Sequence, residues 1–287
     1  MKVGVISKGS PDYLIDIVTD GLIRLIGRQN LSLDYNFRGG AGGAYVHLGQ
    51  NFAGPEPFDI HDSDVLIASS RSDAAISAWI KKTGKTKVAC LDGEDDVAIR
   101  ENCVHQVKAY FKREYLKGKA YSSKIRPLPF AAIPETTIGA VPLREPPVFY
   151  MGHPNHADRK WVAEVLTSMG FMPSTLRIEK VDYNRMLMGS LIGVSARGGG
   201  WDTYRYWEIP FFGAMLLSQR LETVIPADFV EGAEAMFYKG PAELKARLQE
   251  ALNDRPRTRK IAEAGKIACR KRHLSYHRAK TVLEAIC

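Results

Sequence analysis

The chain has 287 residues, long for one hydrophobic core and comfortable for two, since domains usually run on the order of 100 to 150 residues. Its 45% apolar and 25% charged composition is that of a folded globular protein and excludes a disordered or low-complexity class. The net charge of +8 is unevenly placed: residues 239 to 280 hold thirteen Lys/Arg against four Asp/Glu, and residues 105 to 126 hold seven against Glu114. Such stretches attract nucleic acid, anionic lipid or a phosphorylated ligand, or are simply solvated helix faces.

No window approaches the ~20 apolar residues of a membrane-spanning helix, and the N-terminus enters a strand directly, so the expected compartment is the cytoplasm. Cys90, Cys103, Cys269 and Cys287 show neither CxxC spacing nor a partnering His pair, which predicts reduced thiols and no zinc site.

The first half alternates strands and helices. Val3 to Ile6 is an apolar run; Ser10 can cap a helix with Pro11 at its first position; Leu14, Ile17, Val18, Leu22, Leu25 and Ile26 then recur at helical spacing up to Gly27. Strands are predicted at Ser32 to Phe37, Asp64 to Ala68 and Lys87 to Leu91, with a helix from about Asp73 to Lys82. This alternation implies a parallel sheet with crossover helices. Six prolines between 127 and 147 mark a linker, which divides the chain into domains at 1–135 and 136–287. The pattern then restarts with Val148 to Met151, a Gly-His-Pro-Asn-His loop and a helix carrying Trp161, Val162, Val165, Leu166 and Met169. Further strands are predicted near Thr175 to Lys180, Leu191 to Ala196, Ala214 to Ser218 and Ala235 to Tyr238, followed by three helices from about Pro241. Two doubly wound domains bind ligands beyond the carboxyl ends of their strands, so the expected site is a cleft there.

Two glycine motifs fail on inspection. Gly39-Gly-Ala-Gly-Gly43 follows the second strand and has Tyr45 in the place of the third glycine of a dinucleotide fingerprint; Thr83-Gly-Lys-Thr86 has Trp79 where a P-loop needs glycine and precedes a strand. The informative stretch is Ser195 to Ser218, which reads strand, glycine loop, short helix, glycine, strand. Glycines entering a helix let backbone N–H groups approach a diphosphate, and the helix dipole favours its charge. One turn on, Glu208 can accept hydrogen bonds from two neighbouring ribose hydroxyls. Arg205 can contact phosphate or pair with Glu208.

The run Tyr204-Arg-Tyr-Trp-Glu-Ile-Pro-Phe-Phe-Gly-Ala-Met-Leu-Leu217 resembles the signature of the group 1 glycosyltransferases, related to glycosyltransferase family 4, especially their spore-maturation-protein-like branch. The similarity continues through Asp228-Phe-Val-Glu-Gly, Tyr238, Pro241-Ala-Glu-Leu244, Ile261-Ala-Glu-Ala-Gly265 and His273-Leu-Ser-Tyr-His-Arg278, in order and at about the family's spacing, over roughly the last 100 residues. The resemblance implies an α/β GT-B fold, two Rossmann-like domains facing across a cleft, and transfer of a hexosyl or pentosyl group from a nucleotide-sugar, such as a UDP-sugar, to an acceptor hydroxyl. Retention at the anomeric carbon, independence of metal and the absence of a cofactor are implied with it. The donor side would comprise Gly152, Arg159, Gly199, Gly200, Trp201, Asp202, Thr203, Tyr204, Arg205 and Glu208. His153, on a loop facing the diphosphate, and Asp92, at a strand end where a base can meet an acceptor hydroxyl, are the candidate catalytic groups. Lys8, Glu94, Asp95 and Lys112 are candidates for the acceptor side; the acidic cluster at 92–96 can equally complement a helix dipole. One position departs from the pattern: Gly200 stands eight residues before Glu208, where relatives often carry Glu, and Asp202 is the nearest acid. Two alternatives accompany this reading, a catalytically silent nucleotide- or sugar-binding module and a transferase acting on modified bases in DNA, the second suggested by the basic stretches.

Overall fold

The computed structural model describes residues 1–7, 12–35, 55–134, 141–142, 147–154, 156–175 and 178–287. Lys8, Ser10, Pro11 and the glycine segment 39–43 lie outside the described residues. The chain divides into two compact units, Met1–Ile133 with Thr223–Pro226 and Leu274–Cys287, and Pro134–Glu222 with Ala227–His273.

The first unit contains β1 (Val3–Ser7), α1 (Tyr13–Ile26), β2 (Leu31–Tyr35), β3 (Val65–Ser69), α2 (Asp73–Thr83), β4 (Val88–Asp92), α3 (Glu101–Gln106), β5 (Ala109–Lys112) and β6 (Ile125–Pro127). All six strands pair in parallel in the order β2-β1-β3-β4-β5-β6. β1, β3 and β4 are buried on both faces, which is why they read as unbroken apolar runs rather than alternating ones. The cap of α1 is Asp12, two residues beyond the expected Ser10. Its carboxylate accepts from the Leu14 and Ile15 amides at 3.1 and 3.2 Å and from the Ser69 hydroxyl at 2.6 Å, so one buried side chain ties the helix start to β3. The basic stretch at 105–126 is not a solvated helix face: it contains the buried strand β5, and Lys112 and Arg113 are 0% and 3% exposed.

The second unit contains β7 (Val148–Phe149), α4 (Ala157–Ser168), α5 (Lys180–Met188), β8 (Ile192–Ser195), α6 (Tyr204–Phe212), β9 (Met215–Gln219), β10 (Met236–Tyr238), α7 (Pro241–Asn253) and α8 (Arg255–Arg272). Its strands are parallel in the order β10-β9-β8-β7. The strand expected near Thr175 to Lys180 reduces, among the described residues, to a parallel bridge between Ser174 and Met151; Glu179 and Lys180 instead start α5. That bridge matters for the topology. From β7 the chain passes first to Ser174 on one side and then to β8 on the other, so the winding reverses between β7 and β8, the kind of switch point at which open α/β sheets bind ligands.

The last helix, α9 (Ser275–Ile286), returns to the first unit, where the simple division at 135 and 136 had put it in the second. It is held there by packing of Ala279, Val282 and Ile286, by the Ser275 hydroxyl donating to Asp20 at 2.5 Å, and by Arg278 Nε donating to the Pro129 and Phe130 carbonyls at 3.0 and 3.1 Å. A buried guanidinium satisfied by chain carbonyls fixes the helix in one place.

Candidate functional site

The switch point of the second unit is built from the loops that leave β7 and β8. After β7, Gly152 is buried and its amide donates to the Ser174 carbonyl at 3.0 Å, His153 is exposed, and the His156 ring accepts from the Asp158 amide to cap α4. Arg159, in the first turn of α4, reaches across to the other loop. Its Nε donates to the Arg197 carbonyl at 3.2 Å and its Nη1 to the His153 carbonyl at 3.4 Å, so one side chain spans both loops. Gly198 makes this approach feasible: a Cβ there would lie 2.3 Å from Arg159 Nη2.

A second set of bonds fixes the same loops from below. Gln219, at the end of β9, accepts from the Arg197 amide at 3.1 Å and donates to Asp158 at 3.1 Å, while the Trp161 indole donates to the other Asp158 oxygen at 2.9 Å. The Tyr238 hydroxyl donates to the Ser195 carbonyl at 2.7 Å. The glycine loop is thereby held to its strand, to α4 and to β9, and the Gly198 amide closes it on the Gly200 carbonyl at 3.0 Å. Gly199 is exposed at its tip, and Gly200 is buried. Arg197 stacks on the Trp201 ring, 4.1 Å from its centroid. Asp202 is 1% exposed and accepts from the Trp207 indole at 2.7 Å, an inward structural role that leaves the position eight residues before Glu208 without an outward acid. The Thr203 side chain makes no cap to α6 and lies 3.3 Å from the Ser195 hydroxyl; Tyr204 opens the helix.

Glu208 has partners that no local motif announces. Its ion pair is with Lys180, at 2.6 Å, and its second oxygen accepts from the Tyr183 hydroxyl at 2.8 Å. Both donors come from α5, a helix without any motif of its own; the one signal in the sequence is the i, i+3 spacing of Lys180 and Tyr183. Burial pushes the Glu208 carboxyl up, but the Lys180 charge, the two hydrogen bonds and the Arg205 charge pull further, leaving it below its ordinary value. Arg205 therefore acts on Glu208 through its field while Lys180 makes the contact. Arg205 and Arg159 also lie near the Tyr150 hydroxyl, whose pKa burial raises and these two guanidinium groups pull back. The Nε groups of Arg197 and Arg205 are buried and have no hydrogen-bond acceptor among the described residues.

In the first unit, Asp92, Glu94, Asp95 and Lys112 come together at the carboxyl ends of β4 and β5. Asp92 and Lys112 are both 0% exposed and pair at 2.9 Å; the Tyr110 hydroxyl also donates to Asp92, and the Glu94 amide donates to it at 3.2 Å. Glu94 accepts from Arg71, and Asp95 from Arg113. The acids meet cations rather than a helix dipole, and Asp92 faces inward. Among the described residues no group of three His, Cys, Asp or Glu is arranged to hold a metal ion.

Residues 160–284 match a family model described as glycosyl transferase-like. No curated protein matches the sequence. Solved structures resemble the whole chain: HepE of Anabaena, solved in complex with UDP, has a TM-score of 0.68 at 9% identity, covering 99% of each chain. The lipopolysaccharide outer core galactosyltransferase WaaB gives 0.59 at 13% identity over 100% of this chain and 99% of its own. Sucrose-phosphate synthase of Thermosynechococcus elongatus gives 0.58 at 7% identity over 99% and 98%. The chain thus has the GT-B fold, and from α4 to within α9 it matches the glycosyl transferase-like family.

Proposed function

We propose that this protein is a glycosyltransferase that moves a sugar from a nucleotide-sugar to an acceptor hydroxyl, with the donor held by the second unit. The observation that carries this reading is the pair of buried Nε groups on Arg197 and Arg205, without protein acceptors, beside a glycine loop and a helix start that no Thr203 side chain caps. A buried donor left unmade costs about 1–3 kcal/mol, and a diphosphate is the acceptor that this combination fits. Glu208, fixed from behind by Lys180 and Tyr183, then reads the ribose hydroxyls. Gly199, Gly200, Trp201, Thr203 and Tyr204 form the wall against the nucleotide, and Arg159 with Gly152 closes its other side.

Glycosyl transfer requires the departing diphosphate's charge to be stabilised as the anomeric carbon loses it. Here the α6 N-terminus, Arg159, Arg197 and Arg205 supply that charge, so the reaction needs no added metal. His153, exposed beside the Arg159 contact, is the candidate group at the reacting end. Asp92, by contrast, is committed to a buried ion pair. The UDP complex of the HepE structure supports UDP as the nucleotide, and the Tyr204 to Leu217 signature supports the spore-maturation-protein-like branch and a retaining outcome.

The test is turnover of a UDP-sugar panel, with and without acceptor and with chelator, alongside calorimetry with UDP. Release of UDP that survives chelation, with the donor's anomeric configuration kept in the product, is the expected result. UDP binding without turnover of any donor would make the chain a silent nucleotide-binding module, and no UDP binding would overturn the site assignment.

A further inference from the structure

Helix α8 carries a surface that the donor site does not use. Its inner side, Thr258, Ile261, Ala262, Gly265, Ala268 and Cys269, is buried at helical spacing against α6 and β9. At Gly265 the packing admits no side chain: a Cβ would lie 2.3 Å from the Glu234 carbonyl oxygen, in the segment before β10. The opposite side presents Arg259, Lys260, Arg270 and Lys271, with the half-buried Lys266 at its edge beside Gly213, Glu263 as its acid and Ile267 between them, 58% exposed. These positions recur at intervals of three and four, so they form one stripe, about 18 Å long at 1.5 Å per residue.

The stripe carries more positive than negative charge, and one of its cations, Arg270, also lies over the Phe211 ring, 5.4 Å from its centroid. The ion pairs of α8 fall near its ends, Arg257 with Glu250 and Arg272 with Glu234, and none of the five stripe cations makes one among the described residues. Arg247, on the neighbouring α7, shows the ordinary arrangement: it is surrounded by Glu231, Glu243 and Glu250. Five cations within an 18 Å line repel one another, because the spacing between neighbours is comparable with the roughly 8 Å screening length at physiological salt. A polyanion lying along the helix relieves that repulsion.

We infer that this face of α8 docks on an anionic phospholipid surface. A planar bilayer meets a straight stripe along its whole length and gives an exposed isoleucine an apolar layer to enter, whereas the phosphates of a nucleic acid satisfy the cations but leave Ile267 in water. No helix among the described residues is long and apolar enough to cross a membrane, so this contact would be peripheral.

The inference is independent of the donor-site reading and is tested separately from it. The full chain is sedimented with vesicles of phosphatidylglycerol and phosphatidylcholine in equal parts, and with vesicles of phosphatidylcholine alone. Binding should require phosphatidylglycerol and weaken as salt rises. Each Lys or Arg near such a surface strengthens adsorption about fivefold, so the combined variant Arg259→Ser, Lys260→Ser, Lys271→Ser should bind about a hundredfold more weakly with an unchanged melting temperature. Ile267→Ser should also weaken binding, by about fivefold or more, while leaving the salt dependence in place. UDP affinity should be the same in all of them. Equal partition onto both vesicle types, an unchanged partition in either variant, or tighter binding to a short DNA duplex that the triple substitution abolishes would overturn the proposal.

Discussion

Glu208→Gln perturbs the donor site at its charged centre and can be worked through from the contacts. Each carboxylate oxygen offers two lone-pair sites. One on Oε1 is taken by Lys180 at 2.6 Å and one on Oε2 by Tyr183 at 2.8 Å, so one on each remains, the number that two ribose hydroxyls require. The amide keeps the shape but turns one acceptor into a donor and removes the charge. Hydrogen bonds to charged groups are worth about 1.5–3 kcal/mol against about 0.5–1.5 for neutral ones, so two ribose bonds should lose about 2 kcal/mol together, or about thirtyfold in UDP affinity. Stability should change less. The Lys180 side chain is 39% exposed, which places its ion pair near the surface range of about 0–1 kcal/mol, a fall in Tm of at most about 2–4 °C. Titration calorimetry with UDP and with 2′-deoxy-UDP separates these effects: the wild type should prefer UDP, and the variant should not. A variant that binds UDP within threefold of wild type, or that keeps the preference, would refute the ribose assignment. The pH dependence has a defined sign. A carboxyl held below its ordinary value of 4.5 stays charged above that value, so its contribution to stability and binding is constant from pH 8 to about 5 and is lost only as pH falls through the depressed pKa.

Four further substitutions have opposed or signed outcomes. Gly198→Ala meets only the mobile end of Arg159 and should weaken UDP binding with little change in Tm, whereas Gly265→Ala meets the backbone carbonyl of Glu234 and should lower Tm with no selective effect on UDP; the reverse pattern by calorimetry and thermal melting would show that Arg159 is not part of the site. Burial, and then the neighbouring Asp12 charge, push the Asp16 carboxyl up to about 9 against an unfolded value of 3.8, so folding takes up a proton and stability falls as pH rises between these values, by up to about 1.4 kcal/mol per pH unit. Asp16→Asn should flatten that slope, and denaturant midpoints at pH 5 and pH 8 that differ as much in the variant as in the wild type would contradict it. Lys112→Met leaves the buried Asp92 carboxylate without its counter-ion and should cost about 3–5 kcal/mol, read as a lower urea midpoint; an unchanged midpoint would show that the pair does not hold β4 to β5.

The elements legible in the sequence were those whose burial leaves a one-dimensional trace. β1, β3, β4, β8 and β9 are buried along their length and read as apolar runs; α2 and α4 bury one stripe, and α1, buried all round from Leu14 to Leu22, still carries its apolar residues at helical spacing. β5 was hidden because its last residue is Lys112, a cation that looks solvated until Asp92, twenty positions away, is known to face it. The segment after Ser174 misled in the opposite direction: Ile178 reads as part of a strand, but the helix start at Lys180 ends any pairing. The glycine loop and Glu208 could be found because a local spacing carries their chemistry. Lys180, Tyr183, Gln219 and Asp158 could not, since each reaches its partner across a crossover and nothing local marks it. The return of α9 to the first unit was equally silent, because an amphipathic helix does not encode which neighbour covers it.

The two units have the same kind of architecture, yet their strand ends are charged in different ways, and that difference argues for where an anionic donor binds. In the first unit the cations at the ends of β3, β4 and β5 are matched within the cluster: Lys112 by Asp92, Arg113 by Asp95 and Arg71 by Glu94. Its positive charge is consumed internally, and a diphosphate arriving there would have to displace a carboxylate from a partly buried guanidinium or a fully buried ammonium, at a cost no new contact of the same kind exceeds. In the second unit, Arg197 spends its guanidinium on the Trp201 face, and neither it nor Arg205 makes an ion pair among the described residues. Glu208, the acid one turn along from Arg205, is already neutralised by Lys180. The field at the start of α6 is therefore left positive by the arrangement of its neighbours, and the helix dipole adds to it with the same sign. If that field holds the donor, charge reversal at Arg197, exposed enough to fold as Glu, should weaken UDP binding by more than tenfold and do so less at high salt, while Arg71→Glu in the first unit should leave it unchanged. Equal losses from the two, measured by calorimetry at low and high salt, would show that the asymmetry between the units does not decide where the nucleotide goes.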